Sequence, residues 1–244
     1  MKNNIESYVR AFSNLQDIKL DPEIEQKLDV EEIINNISCW DSKTAKQLVK
    51  SFAHLTVKLK DDIPYYDTII SDDASGRLIS LFFKDVINKN KRKYNKEDTV
   101  STYFLTPKRG RNKKVNKAIQ EFIIEKSTEM EKVLVVTEHI DSGGSLRPII
   151  KSLEEQEDIE FDIASISINK YFKLPEELEE KVKYVSKSSD GLIFHNSAFT
   201  GIKRNDEEKE SIHPSKRGGD DTQKFLTQAR EEISFLANEI SNLI

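Results

Sequence analysis

The stretch Val133–Leu146, VLVVTEHIDSGGSL, constrains the fold more than any other part of this chain. Val133, Leu134, Val135 and Val136 are apolar without alternation, the pattern of a strand buried on both faces in a parallel sheet. Thr137-Glu138-His139-Ile140-Asp141 reads as a polar turn. Ser142-Gly143-Gly144-Ser145 then opens a helical pattern that continues from Leu146 to Leu153. Pro148 suits the first turn of that helix, where its missing N–H costs nothing. Strand, small-residue loop and helix N-terminus in succession let backbone N–H groups and two hydroxyls converge on a phosphate, with the helix dipole assisting. Glu138 and Asp141 sit just ahead of the loop, placed to meet hydroxyls or a metal-bound ligand. The plainer alternative is a strand–turn–helix unit with no ligand.

Other phosphate and nucleophile patterns fit worse. The chain has no G-x-x-x-x-G-K-[ST] and no G-x-G-x-x-G. A nucleophile elbow needs Gly two residues after its Ser, and Arg147 follows Ser145 at that distance. Composition narrows the classes further. The 244 residues suit one large domain, or a core with an accessory segment. A formal charge of −5 argues against a general nucleic-acid-binding protein, although a local basic patch is compatible with it. The single cysteine, Cys39, excludes an intrachain disulfide framework and a multi-cysteine metal site. No apolar run is long enough to span a membrane, and MKNNIESYVR lacks the apolar core of a signal peptide, so cytoplasmic residence is the default expectation.

Residues 1–60 read as a helical segment. Ile5, Tyr8, Val9 and Phe12 have helical spacing, as do Ala45, Leu48, Val49, Phe52 and Leu55, with Asp41 or Ser42 as a cap. The α/β domain is expected over 61–244. Tyr65–Ser71 reads as its first core strand. Asp72-Asp73-Ala74-Ser75-Gly76-Arg77 follows, then a helix from Leu78, making a second strand–small-residue loop–helix unit. Gly76 allows close backbone approach or an unusual backbone conformation beside an anion. Arg77 can donate to a phosphate in bidentate fashion. The two aspartates can hold a cation, cap the helix or pair with Arg77. Lys84–Lys117 is the most basic region, with Val100–Leu105 as a strand, a loop carrying Lys108, Arg109 and Arg111, and a helix over Val115–Glu125. Phe161–Ile168 reads as a further parallel strand, Lys173–Lys187 as exposed, and Gly191–Phe194 as a short strand. Arg204–Thr222 reads as a loop. Phe225–Ile244 reads as an amphipathic helix with Ala229, Ile233, Leu236 and Ile240 on its apolar side.

VLVVTEHIDSGGSL resembles the ribose-phosphate motif of the type I phosphoribosyltransferases. In that family an apolar strand leads into two acidic residues, two spacers, often Asp, and a Thr/Ser-Gly-Gly/Lys-Thr/Ser loop. Glu138 matches the second acidic position and Asp141 the position of a base or ribose contact. Ser142, Gly143, Gly144 and Ser145 match the 5′-phosphate loop. Thr137 departs from the pattern, which usually has Asp or Glu there. The resemblance covers roughly Tyr65 to Phe194. It implies an α/β fold, a parallel sheet flanked by helices, with helical additions at both ends and the first segment serving as a hood. It implies transfer of phosphoribose between phosphoribosyl diphosphate (PRPP) and a nitrogen base, with Mg2+ on the diphosphate. Glu138 and Asp141 would then be the catalytic residues. Asp73, Ala74, Ser75, Gly76 and Arg77, with Lys108, Arg109 and Arg111 on a mobile loop, would bind pyrophosphate. Asn196, Phe199 and Lys203 would meet the base, and Glu138 or Asp73 the metal. A homodimer is compatible with this reading. A second reading is a nucleotide sensor or partner-binding regulator that kept the fold and lost the chemistry, and Thr137 and the Asp72-Asp73 pair favour it. A third is a nucleic-acid or nucleotide-binding regulator working through residues 84–117.

Overall fold

The computed structural model describes residues 20–94, 98–105, 113–169, 176–188, 202–204, 212–214 and 220–244. Its centre is a five-stranded sheet in the order β2-β1-β3-β4-β5. The strands are β1 (Thr68–Ser71), β2 (Ser101–Phe104), β3 (Lys132–Ile140), β4 (Glu160–Asn169) and β5 (Val182–Ser188), and every pairing is parallel. The helices are α1 (Pro22–Lys27), α2 (Val30–Asn35), α3 (Ser42–Leu59), α4 (Asp73–Lys93), α5 (Lys113–Lys126), α6 (Arg147–Glu154), α7 (Glu176–Glu179) and α8 (Asp220–Ile240). A separate antiparallel pair, β6 (Ile202–Arg204) and β7 (Ile212–Pro214), lies outside the main sheet.

Successive strand residues point to opposite faces, and each face has its own core. Ile69, Leu134, Val136, Ala164 and Ile166 join Leu48, Phe52 and Leu55 of α3, Phe82 and Phe83 of α4, and Ile233 and Leu236 of α8. Ile70, Val133, Val135, Phe161 and Ile163 join Ile119 and Ile123 of α5 and Ile149 and Leu153 of α6. This explains the unbroken Val133–Val136 run: both of its faces are covered. The architecture is the parallel sheet flanked by helices that the sequence resemblance implies.

The helical segment before the sheet starts its helices on aspartates. Asp21, Asp29 and Asp41 each accept a hydrogen bond from an amide in the first turn of α1, α2 and α3. Trp40 is buried in the α3 core, and half-buried Cys39 packs against it. The buried Glu232 of α8 accepts from the Ser38 and Cys39 amides at 2.9 and 3.0 Å, fastening α8 to this segment. Burial, then the charge and hydrogen bond of Glu232, push the Cys39 thiol up to about 12. At the far end of α8, Lys89 donates to the Asn238 carbonyl at 2.8 Å and Lys93 to the Ile244 carbonyl at 2.7 Å. Part of the basic stretch that follows Lys84 thus serves the fold, at the negative end of a helix.

Several elements differ from the sequence expectation. β7 and the start of α8 at Asp220 fall in the expected loop Arg204–Thr222. β1 begins at Thr68 because Ile63–Tyr65 winds into a 3-10 turn with Pro64 at its start. β3 continues to Ile140, so Thr137 to Ile140 is strand and not turn. α4 begins at Asp73, so the residues from Asp73 to Arg77 are helix and not loop. β5 falls almost entirely within Lys173–Lys187, where only exposure was expected, and ends at Ser188. Val182 is buried and pairs with Ile163, while Lys183 lies 3.9 Å from Asp162. Lysines are common on edge strands and mask their periodicity. The expected strand Gly191–Phe194 and the first helix lie outside the described residues.

Candidate functional site

The chain leaves β1 for β2 on one side and returns to β3 on the other side of β1. The carboxyl ends of β1 and β3 therefore flank a topological switch point, the place where open α/β sheets hold ligands. Ser71 and Val136 are register partners there. The connections that leave the two strands are the two small-residue segments singled out in the sequence.

The connection after β3 is a true loop. Gly143 has φ 66°, a left-handed conformation that favours glycine. Its carbonyl accepts from the Leu146 amide at 3.1 Å and the Arg147 amide at 3.0 Å, which starts α6. Among the described residues, the amides of Ser142, Gly143, Gly144 and Ser145 donate to no backbone carbonyl. Ser142 is exposed, and Gly143 to Ser145 are half-buried. Pro148 lies in the first positions of α6, as expected. The loop is thus shaped as an anion cradle at a helix start.

The connection after β1 is much tighter. Asp72 is the N-cap residue of α4, and Asp73, Ala74 and Ser75 form the first turn of its backbone. Asp72 is buried, and its carboxylate accepts from Ser145 Oγ at 3.2 Å, so the two segments touch across the crevice. Gly76 is buried in α4 and is there for packing. A Cβ at this position would collide with Ser71 Oγ and stand 3.0 Å from the Val136 carbonyl oxygen. The close approach expected of Gly76 is made to the sheet itself. The Arg77 guanidinium lies over the Phe104 ring, 4.3 Å from its centre, at the end of β2.

Glu138 and Asp141 occupy different environments. Glu138 lies within β3 and is 1% exposed, while its neighbour Thr137 is fully buried. Thr137 Oγ1 has no hydrogen-bond partner among the described residues. Asp141 is exposed at the strand's end, and Asn169 of β4 donates to it at 2.7 Å. His139 Nδ1 lies 2.7 Å from Ser167 Oγ. Burial holds the His139 imidazole below its ordinary value, against the opposing pull of Asp141. Of these two carboxylates, Asp141 lies exposed at the rim and Glu138 is buried within the strand.

Glu138, Asp141, Ser142, Gly143, Gly144, Ser145, Gly76 and Arg77 all lie at or beside this end of the sheet. Lys108, Arg109, Arg111, Asn196 and Phe199 lie outside the described residues, as do the side chains of Asp73, Ala74, Ser75 and Lys203. Among the described residues, no three of His, Cys, Asp and Glu gather as a metal site. Asn169 and Phe104 were missed in the sequence. Asn169 follows directly on the expected strand Phe161–Ile168, so its place at the rim was one residue away from being read. Among the described residues, no helix is long and apolar enough to cross a membrane.

No protein-family model matches the chain, and no curated protein matches it in sequence. Among solved structures it is similar to a purine phosphoribosyltransferase from Pyrococcus horikoshii Ot3, with 14% identity over 64% of this chain and 92% of that one, at a TM-score of 0.41. It is also similar to the xanthine-guanine-hypoxanthine phosphoribosyltransferase of Helicobacter pylori, with 15% identity over 56% of this chain and 86% of that one, TM-score 0.35. A third is the hypoxanthine-guanine phosphoribosyltransferase of Schistosoma mansoni in complex with IMP, with 15% identity over 72% of this chain and 70% of that one, TM-score 0.33.

Proposed function

We propose that the chain binds PRPP or a ribose 5-phosphate nucleotide in the β1/β3 crevice and transfers phosphoribose to or from a nitrogen base. One observation carries this reading: the Ser142–Ser145 loop, with Gly143 left-handed and its amides clear of backbone carbonyls, lies at the switch point of a parallel sheet. The 5′-phosphate sits in that loop, and the dipole of α6 adds to the amides and hydroxyls. Arg77, at the first turns of α4, is placed for the diphosphate. Asp141, oriented by Asn169, faces the charge that develops at the ribose or the proton of the base. The magnesium of this reaction type arrives with the diphosphate in this reading.

Calorimetry with PRPP and with ribose 5-phosphate tests the site. Wild type binds, and a folded Gly143→Val variant does not; equal binding by both refutes the site. A screen of bases for PRPP-dependent pyrophosphate release tests the transfer. In an active enzyme Asp141→Asn lowers turnover about tenfold or more, ~1.4 kcal/mol of barrier, with a smaller effect on PRPP affinity.

The burial of Thr137 and Glu138 within β3 favours a second reading, a nucleotide sensor that binds the same ligand without turnover. Binding of PRPP with no pyrophosphate released by any base, and activity appearing in Thr137→Asp, decides for the sensor.

A further inference from the structure

Asp72 stands where an aspartate normally caps its own helix, yet its side chain makes no capping bond to α4. It accepts instead from Ser145 Oγ at 3.2 Å, across the crevice and on the phosphate loop itself. The residue is 7% exposed, so its charge is poorly screened by water. Ser145 is half-buried on the other side.

We propose that Asp72 is an affinity-setting latch on the phosphate loop: its carboxylate holds the Ser145 hydroxyl and opposes any anion entering the loop. The proposal rests on the reading of Ser142–Ser145 as a phosphate loop. Two physical effects act together. The Ser145 hydroxyl has one proton to donate, and while Asp72 takes it the hydroxyl cannot donate to a phosphate oxygen. The carboxylate also repels a phosphate that approaches within a few ångströms, in a setting that weakens repulsion little. A bare phosphate gains too little from the loop amides to displace the latch. The penalty falls on every phosphate that enters the loop, so a ligand that also engages Asp141 and Arg77 is the one that binds measurably against it. A carboxylate that opposes the ligand lowers affinity, whereas a merely structural Asp72 would lose affinity when replaced.

The test uses Asp72→Asn and Asp72→Ser, both neutral and both good N-cap residues, so that α4 keeps its start. Wild type and variants are titrated calorimetrically with ribose 5-phosphate and with inorganic phosphate, in chelator-treated buffer, after melting curves confirm folding. The latch predicts about tenfold tighter binding of ribose 5-phosphate in each folded variant, and a comparable proportional gain for inorganic phosphate. Unchanged or weaker binding in the variants, with wild type still binding, overturns the latch and leaves the phosphate loop standing. No binding of either ligand by any of the proteins overturns the phosphate loop, and the latch with it.

Discussion

Two connections leave the carboxyl ends of neighbouring strands, and each carries an Asp, Ser and Gly run. After β3 the chain opens into a loop, and Gly143 takes a left-handed turn that other residues adopt only with strain. After β1 it enters a helix at once, and Gly76 lies inside that helix, pressed onto Ser71 and Val136. In one place glycine is needed for its backbone freedom. In the other it is needed because it has no side chain. A small-residue run after a strand signals close approach, and only the backbone distinguishes approach to a ligand from approach to the sheet.

The largest effect separating the two belongs to Gly76. Gly76→Ala drives a methyl into Ser71 Oγ and toward a backbone oxygen that cannot move aside. The expected loss is about 3 kcal/mol, at the upper end for an overpacked site, read from urea unfolding. Adding Ser71→Ala should recover part of it, because the hydroxyl is removed and the Val136 oxygen at 3.0 Å remains. Alone, Ser71→Ala should be close to neutral, since Ser71 Oγ is buried without a hydrogen-bond partner among the described residues. A neutral Gly76→Ala would show that α4 does not need a glycine against the sheet.

Gly143→Ala comes next. It places a side chain at φ 66°, at a cost of about 1–2 kcal/mol, and it should weaken ribose 5-phosphate binding as well. Gly76→Ala, by contrast, should act on stability first. Gly144→Ala closes the series. A Cβ there meets only Ser142 Oγ at 3.4 Å, ordinary contact, so stability should change by less than about 0.5 kcal/mol in the same unfolding experiment. A large loss at Gly144 with none at Gly143 would reverse the assignment of roles within the loop.

The sheet was legible because β3 and β4 are apolar enough to announce burial on both faces. The Ser142–Ser145 loop was legible because glycines, serines and a proline fall in the order a helix start requires. The environment of Glu138 was not legible. Local polarity in Thr137-Glu138-His139 reads as a turn, but the small Ser165 and Ser167 of β4 pair opposite and carry the strand on to Ile140. Tertiary pairing overrode the local signal, and it moved one of two acidic candidates from the rim to the interior. The role of Gly76 was hidden for a related reason: helix-to-sheet distance has no signature in a single sequence. β5 was hidden because the lysines of an edge strand resemble those of a loop.

The central claim is that phosphate binds at Ser142–Ser145. Amide chemical shifts followed by NMR during titration with ribose 5-phosphate test it most directly. The account predicts saturable shifts largest at the amides of Ser142, Gly143, Gly144 and Ser145, smaller ones at Asp72 and Asp141, and none along α8. Saturable shifts centred elsewhere, with these four amides unmoved, would contradict it.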